Sequence, residues 1–131
     1  MEQYVVADAD ALAKEISLNG KVAVYGIHFD TGKAVVKPDS TPALEEIVKL
    51  LNVDTGLKIY VVGHTDSVGG FDSNMNLSMA RAEAVVDVLV KQYRIDSGRL
   101  NAHGVGPLVP ASTNRSEDGR AVNRRVELVE R

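Results

Sequence analysis

Leu57 to Val62 (LKIYVV) is a short, unbroken apolar run, and about ten residues after its end a long helical pattern begins, from about Asp72 to Tyr93. A run that is apolar on both faces belongs inside a sheet, covered on both sides. A strand of that kind, followed directly by an amphipathic helix, commits the chain to helices layered on a sheet. The flanking segments agree. Residues 8–17 read as a short helix, with Asp8 or Asp10 as cap, Leu12 and Ile16 one turn apart and Gly20 as the stop. Lys21 to Phe29 (KVAVYGIHF) reads as a strand, and residues 30–37 as a loop around Thr31-Gly32. A helix follows from about Ser40 to Leu51, with Ser40 as N-cap and Pro42 in the first turn. Leu44, Ile47, Val48 and Leu51 form its apolar stripe. Arg99 to Val105 reads as a strand, the Pro-, Ser-, Asn- and Gly-rich residues 107–119 as a loop, and Asn123 to Glu130 as the closing strand. The order α-β-α-β-α-β-loop-β predicts an α/β (α+β) domain: a two-layer sandwich with a mixed sheet of about four strands and helices packed on it.

The 131 residues suit one domain. A net charge of −3 argues against nucleic acid, whose phosphates need a basic surface. The charge is unevenly spread, because Arg120, Arg124, Arg125 and Arg131 all fall near the C-terminus, so a local anion site remains open. With no cysteine there is neither a disulfide nor a thiolate nor a Cys-based metal site. No apolar run approaches the roughly 18 residues of a transmembrane helix. No signal peptide opens the chain, so export would depend on a segment belonging to a longer parent.

The third helix carries the most information. At about 100° per residue, with Leu77 at zero, Ala84 and Val88 fall within about 20° of it and Val85 at about 80°. Arg81 falls at about 40°, in the middle of that apolar stripe, with Asn74 at about 60°. A guanidinium there needs a carboxylate or a cleft. An internal ion pair with Asp66 or Asp30 and a ligand site fit Arg81 equally well on these grounds.

Asp66 lies just past the carboxyl end of the interior strand, the edge where α/β sheets bind ligands. Gly69-Gly70 then exposes backbone N–H groups near a helix start. A carboxylate, a guanidinium, a carboxamide and free backbone donors in one region suit a zwitterion. The rival readings are weaker. His64 beside Asp66 lacks a nucleophile-elbow context for Ser67 or Thr65. His28, His64 and His103 lack the short paired spacings of zinc sites, and each reads as a strand residue with a satisfied hydrogen bond. The glycines at 63, 69 and 70 match no phosphate-binding motif.

Gly63-His64-Thr65-Asp66, Gly69, Asn74, Leu77-Ser78, Arg81-Ala82 and Val85 stand in fixed order. Gly104-x-Gly106, Pro110, Asn114, Gly119-Arg120 and Asn123-Arg124-Arg125-Val126-Glu127 follow them. Together these residues resemble the OmpA-like peptidoglycan-binding domain of OmpA-type proteins, peptidoglycan-associated lipoproteins and flagellar stator proteins. The resemblance covers roughly residues 22–130, which makes residues 1–20 an N-terminal helical extension and 21–131 the domain. It implies a non-enzymatic module, without cofactor or metal, that binds the wall peptide through meso-diaminopimelate. It also implies a periplasmic parent associated with the outer membrane of a Gram-negative envelope. By position, Asp66 takes the ammonium and Arg81 the carboxylate. Asn74 adds a hydrogen bond, Leu77 an apolar wall, and Arg124 enters from the last strand; Asp30 and Thr31 line the neighbouring loop. Arg120, Asn123 and Arg125 are expected to be structural, through turn hydrogen bonds and surface ion pairs. Gly104 and Gly106 are expected to serve backbone geometry. A hydrolase using His64 and Asp66, and a purely structural domain with an internal Asp66–Arg81 bridge, are the alternatives.

Overall fold

The computed structural model describes residues 8–131, so the first seven residues of the expected extension lie outside the described part. The elements are α1 (Ala9–Asn19), β1 (Lys21–Val24), α2 (Thr41–Val53), β2 (Ile59–His64), α3 (Phe71–Lys91), β3 (Leu100–Gly106), α4 (Glu117–Asn123) and β4 (Arg125–Glu130). The four strands form one mixed sheet in the order β1-β4-β2-β3. β4 runs antiparallel to both neighbours, and β2 pairs parallel with β3. The sheet therefore has the mixed, four-stranded form that the element order predicts.

Local chemistry sets the ends of α1. Asp8 accepts a hydrogen bond from the Ala11 N–H at 2.8 Å, and Gly20 closes the helix with a left-handed φ of 77°. In α2, Ser40 does not cap as expected. It lies in a single 3-10 turn, and its buried hydroxyl instead accepts the His28 N–H at 2.8 Å. That bond ties the segment after β1 to the start of α2.

The expected strand Lys21–Phe29 stops at Val24. Pairing with β4 runs only from Lys21↔Val129 to Val24↔Val126, and the chain then leaves the sheet. Ile27 stays apolar because it is buried at the edge of the core, not because it is in a ladder. The segment from Tyr25 to Lys37 becomes a strap, held by the Ser40 bond and by Lys37 N–H donating to the His28 carbonyl. His28 thus sits in this strap, half exposed, with Asp39 3.2 Å from its ring.

The core lies on the helical face of the sheet. Ile59, Val61, Val126 and Leu128 meet Ile47 and Leu51 of α2 and Val85 and Leu89 of α3, all almost fully buried. Each such side chain stabilises the fold by about 1.5–3 kcal/mol. The buried face of α3 is Asn74, Ser78, Ala82, Val85 and Leu89. It is rotated from the stripe read in the sequence: Leu77, Ala84 and Val88 are only partly buried, and Arg81 stands at the margin. The reason is steric. Glycines of β2 and β3 let the backbone of α3 come close around Ser78, so small side chains, Ser78 and Ala82, face the sheet there, and Val85 and Leu89 follow on the same face.

A second correction concerns residues 107–119. They are not all loop, because α4 starts at Glu117, with Ser116 capping it through a bond from the Gly119 N–H. α4 and the segment before it cover one end of the sheet face opposite the core. Tyr25 donates its hydroxyl to the Val122 carbonyl and Arg125 donates to the Val109 carbonyl across that contact.

Candidate functional site

β2 delivers the chain to Asp66, and the turn beyond it is built by side chains. Asp66 Oδ1 accepts the Val68 N–H at 2.9 Å, and Gly69 takes a φ of 92° that a side chain rarely tolerates. Asn74, buried on the first turns of α3, donates to the Val68 carbonyl at 2.9 Å. Its carboxamide nitrogen therefore holds the Asp66 turn. Thr65 donates its N–H to the Gly106 carbonyl at 3.0 Å and fixes the base of the turn on β3.

Two turns further along α3, Arg81 reaches the strap. Its Nε donates to the Lys33 carbonyl at 2.8 Å and its Nη2 to the Asp30 carbonyl at 3.2 Å, and the guanidinium stacks 4.9 Å from the centre of the Phe29 ring. Arg81 thus has carbonyl partners where an internal ion pair with Asp66 or Asp30 would have placed a carboxylate. The Asp30 carboxylate bridges instead to Lys37, 3.1 Å away.

The direct partner of Asp66 is Arg124, whose Nη1 lies 2.8 Å from Asp66 Oδ2. Arg124 is the C-cap of α4, one position before β4 begins, so it enters from the helix end and not from the last strand as expected. Its Nη2 lies 2.5 Å from Glu117.

These elements enclose a cleft of about 810 Å³. Thr31, Asp66, Asn74, Leu77, Arg81 and Arg124 all line it, while Asp30 does not. The reading of the sequence missed Glu117, Arg120 and Val68 as lining residues. Glu117 had a signal in the run Ser116-Glu117-Asp118, a helix cap followed by acidic residues.

The electrostatics mark the cleft as short of anions. Burial, and then the nearby Arg124 charge, push the Arg81 guanidinium below its ordinary value, and Asp66 only partly offsets this. Arg124 is shifted up, chiefly by its hydrogen bond to Glu117 and less by Asp66. Arg124 in turn pulls the Glu117 carboxyl down. Arg81, Arg120, Arg124 and Arg125 all line the cleft, against two lining carboxylates, Asp66, which is buried, and Glu117, which is exposed.

Behind the cleft lies a second charged group. Arg125, only 6% exposed, places its Nε 2.7 Å from Glu127 on the same face of β4. This buried pair corrects the expectation of a surface ion pair at Arg125: α4 and its approach cover that part of the sheet. His64 is buried beside them with Nε2 3.4 Å from Glu127, and neither ring nitrogen has a hydrogen-bond partner among the described residues, contrary to expectation. The imidazole therefore abuts Glu127, which leaves it unsuited to act with Asp66 as a catalytic pair.

Burial raises the Glu127 carboxyl, but the contacts with His64 and Arg125 outweigh it and hold the group at about 2. Its folded value is below the unfolded one, so its contribution is complete above about 4.5 and is lost as pH falls towards 2. Acid denaturation of the native domain should therefore lose up to roughly 3 kcal/mol more across that window than Glu127→Gln. Urea titrations at several pH values read this difference, and parallel curves would exclude it.

The fold and the cleft define an α/β domain with a charged cleft at one end of its mixed sheet. The chain belongs to the OmpA family, whose model matches residues 28–124. Outer membrane porin F of Pseudomonas aeruginosa is 42% identical over 101 residues, 77% of this chain and 29% of that protein. Motility protein B of Bacillus subtilis is 35% identical over 107 residues, 79% of this chain and 41% of that protein. The chain thus spans less than half the length of these curated relatives. Among solved structures, the cell wall anchor of the type VI secretion system from P. aeruginosa superposes with a TM-score of 0.70 at 29% identity, covering 95% of this chain and 96% of that one. The peptidoglycan-associated lipoprotein from Burkholderia pseudomallei gives 0.71 at 27% identity, covering 80% and 88%. No helix among the described residues is long and apolar enough to cross a membrane.

Proposed function

We propose that this domain anchors its parent protein to the cell wall by non-covalent binding of peptidoglycan, through the zwitterionic carbon of meso-diaminopimelate in the stem peptide. The observation that carries this reading is the cleft itself, which Asp66 lines with Arg124, its partner at 2.8 Å, and with Arg81, a guanidinium lacking any carboxylate partner among the described residues. Asp66 accepts the ammonium. Arg81, fixed on the strap carbonyls, turns its remaining donors to the carboxylate, and Arg124 closes on the same group. Leu77 supplies an apolar wall for the methylene chain, and Thr31 the rim. Asn74 serves by holding the Asp66 turn. The likeness to a cell wall anchor and to a peptidoglycan-associated lipoprotein supports the reading, and the parent proposed with it is periplasmic, at the outer membrane. In this scheme residues 21–131 form the binding domain and α1 belongs to an extension.

The test is cosedimentation with purified sacculi. Asp66→Ala and Arg81→Ala should each reduce the bound fraction to background. Arg81→Ala should cost less than about 2 kcal/mol of stability, because its bonds are to solvent-facing carbonyls. Undiminished sedimentation of both folded variants would remove the proposal. Muropeptides released into the supernatant by the native domain would favour a hydrolase.

A further inference from the structure

Arg124 meets two carboxylates of different kinds. Asp66 is buried and fixed by the Val68 N–H. Glu117 is the first residue of α4, with its side chain 65% exposed. Its other contact, with Arg120 at 3.4 Å, is long. Glu117 also lines the mouth of the cleft. One nitrogen of the Arg124 fork is therefore committed to the inner wall, and the other holds a carboxylate that is free to leave into water. An exposed pair of this sort contributes only about 0.2–1 kcal/mol, so its release is easy.

We propose that Glu117 is a specificity-determining residue, a resident carboxylate on Arg124 that the ligand's own carboxylate replaces. The inference rests on the reading of the cleft as a site for a zwitterionic carbon. Exchange of one carboxylate for another on the same guanidinium is nearly even, and Glu117 recovers its hydration as it leaves. A carboxamide brings no charge and leaves Glu117 in place. Glu117 thereby lowers the affinity for ligands with a free carboxylate and has little influence on amidated ones. No bond is made or broken covalently in this exchange, and the total charge of the cleft and ligand is conserved.

The probes are a synthetic stem tripeptide ending in meso-diaminopimelate and the same peptide amidated at the carboxyl of its free end. Both are titrated by calorimetry into the native domain and into Glu117→Gln. The variant should bind the free acid about 2- to 5-fold more tightly, and the amide within about 2-fold of the native domain. Glu117→Ala should give the same pattern, and thermal melts confirm that both variants fold. Equal affinity of native and variant proteins for the free acid overturns the proposal. So does weaker binding by the variants, which would make Glu117 an acceptor for a ligand N–H group. Failure of the native domain to bind the free acid overturns the reading of the cleft, and this proposal with it.

Discussion

Gly104→Ala is expected to lose about 3 kcal/mol or more of stability, enough to lower its melting temperature by roughly 10 °C. A Cβ at this position would lie 2.2 Å from the Met79 backbone nitrogen and 2.5 Å from Ser78 Oγ. Neither neighbour can give way easily. Met79 is helix backbone, and Ser78 is fully buried, with its hydroxyl donating to the Met75 carbonyl and accepting the Gly106 N–H. Gly63, the pairing partner of Gly104 across β2 and β3, meets the same turn of α3, where a Cβ would lie 2.2 Å from the Ser78 carbonyl oxygen. The two glycines form a saddle on which the helix rests. A methyl group on either must lift α3, and with it Asn74, Leu77 and Arg81, away from Asp66. Sacculus binding should therefore fall further than the population of folded protein does. Gly56 is the control, since a Cβ there meets nothing within 4 Å, and Gly56→Ala should stay within about 0.5 kcal/mol of the native domain. Chemical denaturation of the native domain and the two variants decides the matter. Gly104→Ala as stable as Gly56→Ala would show that the helix does not rest on that saddle.

The same saddle explains what could be read from the sequence and what could not. Hydrophobic periodicity found α3 and α2 to within a few residues, because their helical patterns are long. It misplaced the centre of the α3 stripe because it weighs size, whereas close approach selects Ser78 and Ala82. Arg81 looked central for that reason and is marginal in fact. The motif order nevertheless groups it with Asp66, Asn74, Leu77 and Arg124, and all five line the cleft. The direct bond between Asp66 and Arg124 spans 58 residues and depends on the β2–β4 register, which no local pattern encodes. β1 was read as too long because the strap after Val24 carries Ile27 and Phe29 for packing, and an apolar alternation does not reveal whether a neighbouring strand is there to pair. α4 is seven residues long with a glycine inside it, too short for a periodic signal, so its cap was the only trace.

Asn123→Ala should lose roughly 3–4 kcal/mol, although the residue touches no ligand in the proposed site. Asn123 is completely buried. Its Oδ1 accepts the N–H groups of Ala111 and Ser112 at 2.7 and 2.9 Å. Its Nδ2 donates to the Ser112 carbonyl and to Asn114 Oδ1, both at 2.9 Å. One carboxamide thus satisfies four groups of a segment that has no regular structure of its own. Alanine removes all four bonds; Asn114 Oδ1 keeps the Ser67 N–H, whereas the Ala111 and Ser112 groups lose their part-buried partner, at about 1 kcal/mol for each bond. Asn123→Asp should be at least as damaging, since it keeps the acceptor but sets a carboxylate against the Ser112 carbonyl and Asn114 Oδ1. The damage should also spread to the cleft. Asn114 Oδ1 also accepts the Ser67 N–H, next to Asp66, at 3.3 Å, and the segment leads into Ser116, the cap of the helix that carries Glu117 and Arg120 and ends at Arg124. Weakening it loosens both ends of the Asp66–Arg124 bridge at once. Hydrogen exchange of native and variant domains separates this local effect from global unfolding. The amides of Ala111, Ser112 and Ser67 should lose protection in Asn123→Ala at temperatures where those of Val61 and Leu128 keep theirs. Uniform loss across all five would mean that Asn123 serves global stability alone, and that the cleft is positioned by the sheet without its help.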